Sequence, residues 1–165
     1  MKALPRQRLE ALDEQHRRNL GWIARSDSDI LVHSSDNPAG YRIPLHCHRH
    51  DQLLCAFAGV VLVETERGCW MIPPGHALLI PAQLQHAVEM LSAVDMKSVY
   101  LLPGLGDLAG RMLQVLGVTD LARALIGEAI RLRDAAPGTR KAVLVLEVLA
   151  QEIATRNITV NCVAP

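Results

Sequence analysis

The stretch that decides the fold is Gly40-Tyr41-Arg42-Ile43-Pro44-Leu45-His46-Cys47-His48-Arg49-His50-Asp51-Gln52. His46 and His48 stand two residues apart, so on one β-strand their side chains leave the same face. Gln52 has the same parity, and His86 follows a turn and a second apolar segment. Imidazole nitrogens together with an amide oxygen are ligands that a borderline divalent metal accepts. The sequence therefore predicts a metal site formed by these four side chains.

Short apolar segments separated by Gly- and Pro-rich turns surround this stretch. The predicted strands cover residues 29–33, 42–50, 52–58, 60–65, 69–72, 76–80, 85–90 and 96–102, and the turn-rich residues 34–40 are predicted to be a loop. Many short strands at regular spacing are typical of a sandwich or barrel. The central part of the chain is therefore predicted to be mainly β.

Helical patterns flank the strands on both sides. Residues 1–28 are predicted to be an N-terminal arm, with a polar, loosely docked helix over 5–20. Residues 104–156 are predicted to hold two helices, the first capped by Thr119 or Asp120 and the second running from about 139 to 155. The second helix is apolar most of the way round, which indicates burial against two partners. We expect one partner to be a second subunit, with interface candidates at Leu121, Leu125, Leu146, Leu149 and Ile153. The last three are predicted to be buried either within the helical pair or between subunits.

The composition excludes several classes of protein. Half of the 165 residues are hydrophobic and the formal net charge is zero, which argues for a globular domain and against a basic nucleic-acid-binding face. The sequence contains neither a membrane-spanning apolar run nor a signal peptide. The four cysteines form no CxxC pair and are predicted to be buried, reduced thiols, which fits a cytoplasmic protein: Cys47, Cys55, Cys69 and Cys162.

Two spaced motifs match a known barrel pattern without a gap. The first, G-x5-H-x-H-x3-E-x6-G, is matched by Gly40, His46, His48, Gln52 and Gly59. The second, G-x5-P-x-G-x2-H-x3-N, is matched by Gly75, Pro81, Gln83, His86 and Met90. Glutamine replaces Glu and Gly at Gln52 and Gln83, and Met90 replaces Asn. The chain thus resembles the cupins, which implies a double-stranded β-helix (jelly-roll) barrel over 29–103 followed by a helical pair.

A narrower resemblance covers nearly the whole chain. It is carried by His48-Arg49-His50-Asp51-Gln52-Leu53-Leu54, by Trp70-Met71-Ile72-Pro73-Pro74 and by Val118-Thr119-Asp120-Leu121-Ala122-Arg123-Ala124-Leu125-Ile126. These segments look like the sensor domain of AraC-type transcriptional regulators. The resemblance implies a small effector in the cupin pocket, a homodimer formed by the C-terminal helices, and DNA binding through a following helix-turn-helix region. We expect that region to be absent here, with residues 157–165 as a tail or the start of a linker.

The last ten residues carry a competing match. Residues 156–165 resemble a segment of short-chain dehydrogenases. Those enzymes need a Gly-rich dinucleotide loop and a Tyr-x-x-x-Lys pair, and the sequence has neither, because Gly104 stands at the Lys position after Tyr100. We therefore do not expect a dehydrogenase.

The predicted metal site leaves two interpretations open. Zinc, nickel, iron(II) or manganese would suit three imidazoles and one amide, and with Gln52 in place of Glu the ion would keep its charge and favour an anionic effector. Alternatively, the same side chains line a metal-free effector pocket. A small metal-dependent dioxygenase or isomerase is the alternative function, although an obvious general base is missing.

Further residues are candidates for an effector pocket. Tyr41, Trp70 and Tyr100 are predicted either to line it or to pack in the core, and Met90 is predicted to form an apolar wall. His50 is either a further ligand or faces solvent. Glu64, with Arg42 beside it, is either a pocket residue or part of a solvated strand face. The other histidines are expected at the surface or in turns: His16, His33 and His76.

Overall fold

The computed structural model describes residues 3–105 and 113–155. Its elements, in chain order, are α1 (Arg6–Arg25), β1 (Ile30–Asn37), β2 (Arg42–His46), β3 (Asp51–Ala58), β4 (Val61–Thr65), β5 (Gly68–Ile72), β6 (His76–Ile80), β7 (His86–Met90), β8 (Val94–Leu101), β9 (Gln114–Gly117), α2 (Asp120–Ala135) and α3 (Arg140–Thr155). Cys162 and the dehydrogenase-like residues 156–165 lie outside the described residues.

The strands form two antiparallel sheets that enclose a barrel. One sheet has the order β1-β8-β3-β6-β9 and the other has the order β2-β7-β4-β5. Apolar side chains from both sheets meet inside the barrel, among them Leu54, Val61, Val63, Ile72, Leu78 and Met90. The predicted fold class, a cupin-type β-barrel followed by a helical pair, is confirmed.

A second core lies on the outer face of the larger sheet. Strand β3 contributes Leu53 and Cys55 to it, and helices α2 and α3 contribute Ile126 and Leu149. Thr119 caps α2 as predicted, because its hydroxyl accepts a hydrogen bond from the backbone N–H of Ala122 at 3.0 Å. The helices cover this sheet face and leave the two ends of the barrel to other elements.

Helix α1 packs on the barrel through apolar residues near both of its ends. Near its start, Leu9 and Leu12 pack against the barrel core. Near its end, Ile23 is fully buried beside Leu31 and Tyr100. The helix runs to Arg25 rather than to residue 20, because this apolar C-terminal turn has a place to bury.

Pairing between strands that are distant in sequence also changes several of the predicted element boundaries. Residues 34–37, predicted to be a loop, extend β1 because they pair with β8 from Lys97 to Val94. Strand β9 pairs with β6 and extends the sheet beyond residue 103, inside the segment that was predicted to be helical. Strand β2 ends at His46 instead of continuing to residue 50.

The described cysteines differ in their exposure to solvent. Of the described cysteines only Cys55 is buried, whereas Cys69 is exposed and Cys47 is intermediate, so the prediction of buried thiols is wrong for two of them. No helix in the described part of the chain is long and apolar enough to cross a membrane.

Candidate functional site

Three histidines meet at one end of the barrel. His46 is the last residue of β2, His86 is the first residue of β7, and the two are register partners. His48 lies in the connection between β2 and β3, so the prediction that it shares one strand with His46 is wrong. Pro44 lies inside β2, which is an edge strand where a proline is tolerated, and the pairing with β7 shifts register between Ile43 and His46. One ligand atom from each imidazole still lies within 4.8 Å of the others.

Backbone carbonyls fix the orientation of all three rings. The Nδ1 atoms of His46, His48 and His86 lie 2.8, 2.9 and 2.8 Å from the carbonyl oxygens of Pro44, His50 and Leu84. A carbonyl oxygen only accepts, so each Nδ1 carries the proton and donates it. Each Nε2 therefore keeps a free lone pair, which is the form of histidine that binds a metal.

The Nε2 atoms have few partners within the protein. That of His86 is buried and has no hydrogen-bond partner. That of His48 lies 3.0 Å from the side-chain oxygen of Gln52, and both atoms are acceptors. Two acceptors at this distance repel one another unless a cation binds both, and ligand atoms around one metal ion are spaced about 3 Å apart. The donor set therefore fits a divalent metal.

Gln52 is oriented by two hydroxyls of the neighbouring strand. Its amide nitrogen donates to Ser98 Oγ at 3.0 Å and lies 3.3 Å from the Tyr100 hydroxyl. Turning the amide over would give a metal-free arrangement, in which Gln52 donates to His48 and accepts from the hydroxyls. The two orientations of this amide correspond to the two interpretations of the sequence, a metal site and a plain polar pocket.

Burial favours the neutral form of two of these imidazoles, His86 and His46. It lowers the pKa of His86 to about 3, with a smaller contribution from the nearby ring of His46. It also lowers the pKa of His46, against the opposing effect of the Pro44 carbonyl. Because a metal competes with protons for the same nitrogen, rings that are neutral at physiological pH are ready to bind one.

A small cavity of about 40 Å³ adjoins the cluster. Its walls are His46, Gln52 and Tyr100 with apolar barrel residues, and its roof is one face of α1, formed by Leu12, Gln15, His16 and Asn19. The described lining residues include no Asp, Glu, Lys or Arg. The volume corresponds to about three water molecules, at roughly 10–15 Å³ for each.

Two cavity histidines were not expected from the sequence. His16 was predicted to be solvated, but its ring packs edge-on against His46 with 4.8 Å between ring centroids, and its Nε2 is buried without a partner. His33 also lines the cavity. Burial lowers the pKa of each to about 4. The signal for His16 was its spacing from Leu9 and Leu12, which places all three on one helical face.

The other effector-pocket candidates have different surroundings. Tyr100 lines the cavity, whereas the remaining five are absent from its described lining. Tyr41 and Met90 are buried in the barrel core, and the hydroxyl of Tyr41 donates to Asp13 at 3.1 Å. Trp70 packs partly against that core.

His50 and Glu64 also lie away from the cavity. The ring of His50 is fully buried, with its Nε2 3.5 Å from the carbonyl of Ser28, and it is not one of the three clustered histidines. Glu64 forms a 2.6 Å ion pair with Arg42 between side chains that are 38% and 47% exposed. This pair matches the solvated strand face that was the alternative for these residues.

The predicted interface residues divide between the core and the surface. Leu149 and Ile153 are buried in the second core of this chain, which agrees with the alternative of burial within the helical pair. Leu125 and Leu146 are partly buried there, and Leu121 is 50% exposed. The apolar side chains that α3 does expose are Val143, Leu144 and Val148.

The fold and the cavity define a ligand-binding barrel domain, and the comparisons with known proteins give its family. The family described as the AraC-like ligand binding domain matches residues 30–147. The chain therefore belongs to this family, as its sequence resemblance implied.

The chain is also similar to individual proteins. The transcriptional regulator NimR of Escherichia coli (strain K12) is 30% identical over 60 residues, which cover 36% of this chain and 22% of NimR. The apo structure of a ToxT variant from Vibrio cholerae covers 78% of this chain and 55% of ToxT, with a TM-score of 0.59 and 10% identity. A cupin superfamily protein from Desulfitobacterium hafniense is 19% identical over 48% of this chain and 72% of its own, with a TM-score of 0.44. The chain thus spans about a fifth of NimR.

Proposed function

We propose that this domain is the effector-sensing part of a transcription regulator and that its signal is a small anion bound through a divalent metal. The observation that carries the proposal is the set of three imidazoles whose Nδ1 atoms are all held by backbone carbonyls. This arrangement leaves three lone pairs close together beside a cavity. The family supplies the regulatory context.

The metal would be held by His46, His48 and His86, with the amide oxygen of Gln52 as a further ligand. Zinc, nickel, iron(II) and manganese all accept such a set. When bound, the ion supplies positive charge and open coordination positions. The chain's own residues supply orientation, because the carbonyls fix the rings and Tyr100 and Ser98 fix the amide.

The preference for an anion follows from the charge balance of the site. Neutral imidazoles and an amide leave about two positive charges on a divalent ion, and the described cavity lining adds no carboxylate. A carboxylate or oxyanion would neutralise this charge in a buried place where water does so poorly. The cavity of about 40 Å³ restricts the ligand to a few atoms unless α1 moves.

We further propose that the domain acts by binding and not by catalysis, as the regulator family suggests. The alternative, a metal-dependent cupin enzyme, has no specific observation in its favour. Signalling to DNA would pass through a helix-turn-helix region outside this chain, in the cytoplasm. Of the predicted pocket residues, Tyr100 has the best support because it lines the cavity.

Dimerisation is proposed to use the outer face of the helical pair. Leu121, Leu144 and Val148 are 50%, 46% and 47% exposed. Helices α2 and α3 run antiparallel, since Thr119 bonds Glu152 and Glu128 bonds Lys141, which brings Leu121 level with Val148. Replacing Leu144 and Val148 by Glu should convert a dimer to a monomer in analytical ultracentrifugation, with an unchanged circular dichroism spectrum. A dimer that survives this double change would rule out this surface.

The metal proposal is tested by elemental analysis of protein purified without an affinity tag. We expect about one equivalent of metal, lost in the His46→Ala/His86→Ala variant. His76→Ala is the matched control, because His76 lies outside the three-histidine cluster. Calorimetric titration with acetate and with a neutral analogue, acetamide, then tests the anion preference. Metal that remains in the double variant, or equal binding of both ligands, would contradict the respective part of the proposal.

A further inference from the structure

The candidate metal ligands come from both sheets of the barrel. His46 and His86 are register partners on the smaller sheet, whereas Gln52 lies on β3 of the larger sheet. His48 lies in the connection that leads from β2 to β3 and so passes from one sheet to the other. Pairing within the smaller sheet fixes His46 against His86. It does not fix the distance from these two rings to Gln52, so another contact has to set the separation of the sheets at the site.

Two hydrogen bonds from backbone N–H groups join the sheets at this end of the barrel. They start from a second connection, residues 81–85, which leads from β6 in the larger sheet to β7 in the smaller one. The N–H of Ala82 donates to the carboxylate of Asp51 at 2.7 Å, and the N–H of Gln83 donates to the His48 carbonyl at 2.8 Å. The two connections that cross between the sheets are therefore held to each other.

The backbone at Gln83 is strained. Its φ of 64° lies in the left-handed region, and every other described residue with a positive φ is a glycine. A side chain in this region costs free energy, so the conformation persists only where the surrounding contacts hold it. The hydrogen bonds to Asp51 and His48 are such contacts. They define the path of the second connection at a position where the cupin motif has glycine.

We infer that Asp51 is a positioning residue for the metal site, because its carboxylate sets the separation of the sheets at which the ligands converge on one ion. The inference rests on the proposed metal site. Asp51 directly precedes Gln52, and its partner Ala82 lies in the connection that leads to His86. The Leu84 carbonyl of that connection orients the His86 ring at 2.8 Å, so a displaced connection would move the ring. A charged acceptor makes a stronger hydrogen bond than a neutral one, which suits a contact between two sheets.

The test uses the whole chain and compares Asp51→Ala with Asp51→Asn. The first variant has no acceptor for the Ala82 N–H, whereas the second keeps an oxygen at the same place without the charge. We expect Asp51→Ala to raise the Zn²⁺ Kd about 10- to 100-fold, the usual cost of losing a group that orients metal ligands. Asp51→Asn should recover most of this loss, to within about fivefold of the natural protein. Competition with a chromophoric chelator measures both constants.

The visible spectrum of bound Co²⁺ separates positioning from a general loss of stability, because it depends on the geometry of the ligands. The bands should shift in Asp51→Ala. They should also shift in Asp51→Glu, which keeps the charge but is longer by one methylene and serves as the second variant if Asp51→Ala does not fold. Arg49→Ala is the matched control, because Arg49 ties the first connection to the Ser26 carbonyl and not to residues 81–85. It should leave the spectrum unchanged and the Zn²⁺ Kd within about twofold.

Three results would overturn the inference and leave the metal site standing. The first is natural Zn²⁺ affinity and an unchanged Co²⁺ spectrum in the folded variants Asp51→Ala and Asp51→Glu. The second is an equal loss of affinity in Asp51→Asn and Asp51→Ala, which would make the charge responsible instead of the hydrogen bond. The third is an equal loss in Arg49→Ala, which would indicate general loosening of the connection. Failure of the natural protein to bind either metal overturns the proposed metal site as well.

Discussion

The two faces of strand β3 illustrate how one sheet serves two purposes. Toward the barrel interior it presents Gln52 and Leu54, and toward the helices it presents Leu53 and Cys55. Every residue from 52 to 56 is buried, so burial alone does not distinguish the faces. The difference lies in the polar groups. The inner face carries an amide with three polar neighbours, whereas burial raises the pKa of the Cys55 thiol to about 12 and keeps it uncharged.

This difference indicates that the outer core mainly stabilises the fold and that the inner side of the barrel mainly binds a ligand. The outer core between the sheet and α2–α3 is apolar and contributes stability by removing surface from water. The barrel interior contributes less stability in this way, because burying histidine nitrogens that have no hydrogen-bond partner costs free energy. Substitutions on the outer face should therefore change stability, and those on the inner face should change ligand binding.

The largest effect is expected in the outer core. Leu149 is fully buried, so Leu149→Asp places an unpaired charge among apolar side chains and should lower the free energy of unfolding by more than about 4 kcal/mol. Gln151→Asp is the matched control, because Gln151 is exposed on the same helix and lies outside the proposed dimer residues, and it should change the free energy of unfolding by no more than about 0.5 kcal/mol. Urea denaturation followed by circular dichroism measures both, and equal midpoints would contradict the assignment of the outer core.

On the inner face, His86→Ala should act on metal binding. Losing one of three imidazoles should weaken zinc binding at least about 100-fold, since even changes to groups that only orient ligands cost 10–100-fold. The metal-free variant should keep its fold, because the change also removes a buried nitrogen without a partner. Competition with a chromophoric chelator measures the affinity, with His76→Ala as control. An unchanged affinity would show that the cluster is not the metal site.

The cavity also predicts how stability depends on pH. Burial, and then the charges of Arg133 and Lys97, lower the pKa of His33 to about 4 from its ordinary value of 6.5. Above pH 6.5 the ring is neutral in both states. Between about pH 6.5 and 4 the unfolded chain binds a proton that the native chain does not, so stability falls on acidification.

In metal-free protein, His33→Gln should flatten this part of the profile, as measured by thermal unfolding at pH 7, 6 and 5. A variant whose profile parallels that of the natural protein would show that His33 is not buried as described.

The smallest effect is expected on the solvent-exposed surface of the barrel. Arg42 and Glu64 form an exposed ion pair, and such pairs contribute about 0–1 kcal/mol. A double-mutant cycle with Arg42→Ala and Glu64→Gln should give a coupling in that range, and both variants should bind zinc and acetate normally. Loss of acetate binding in Glu64→Gln would restore Glu64 as a pocket residue.

Local patterns predicted several elements of the fold correctly. Strand β6 has the predicted bounds, and α2 begins at its predicted cap, because these depend on a short apolar run between turns and on one threonine hydroxyl. The cluster of His46, His48 and His86 was also predictable from motif spacing, although the shared strand that was the argument for it is wrong.

Features that depend on distant pairing were missed. Strand β9 and the end of β1 exist because partner strands complete their hydrogen bonds, which short-range propensity does not encode. Leu149 was expected to be buried either within the helical pair or between subunits, because its helix is apolar on several faces. Only the packed structure distinguishes the face that covers the sheet from the face that is exposed.

The sequence by itself determined the barrel, the helical pair and the residues that could bind a metal, since alternation, turns and motif spacing are local properties. Only the tertiary structure decided which groups surround that site. It placed His16 over the cavity and Glu64 outside it, because these positions depend on how α1 and the two sheets pack. It also lowered the pKa of His16 and of His86, because desolvation is a property of the folded chain and not of its sequence.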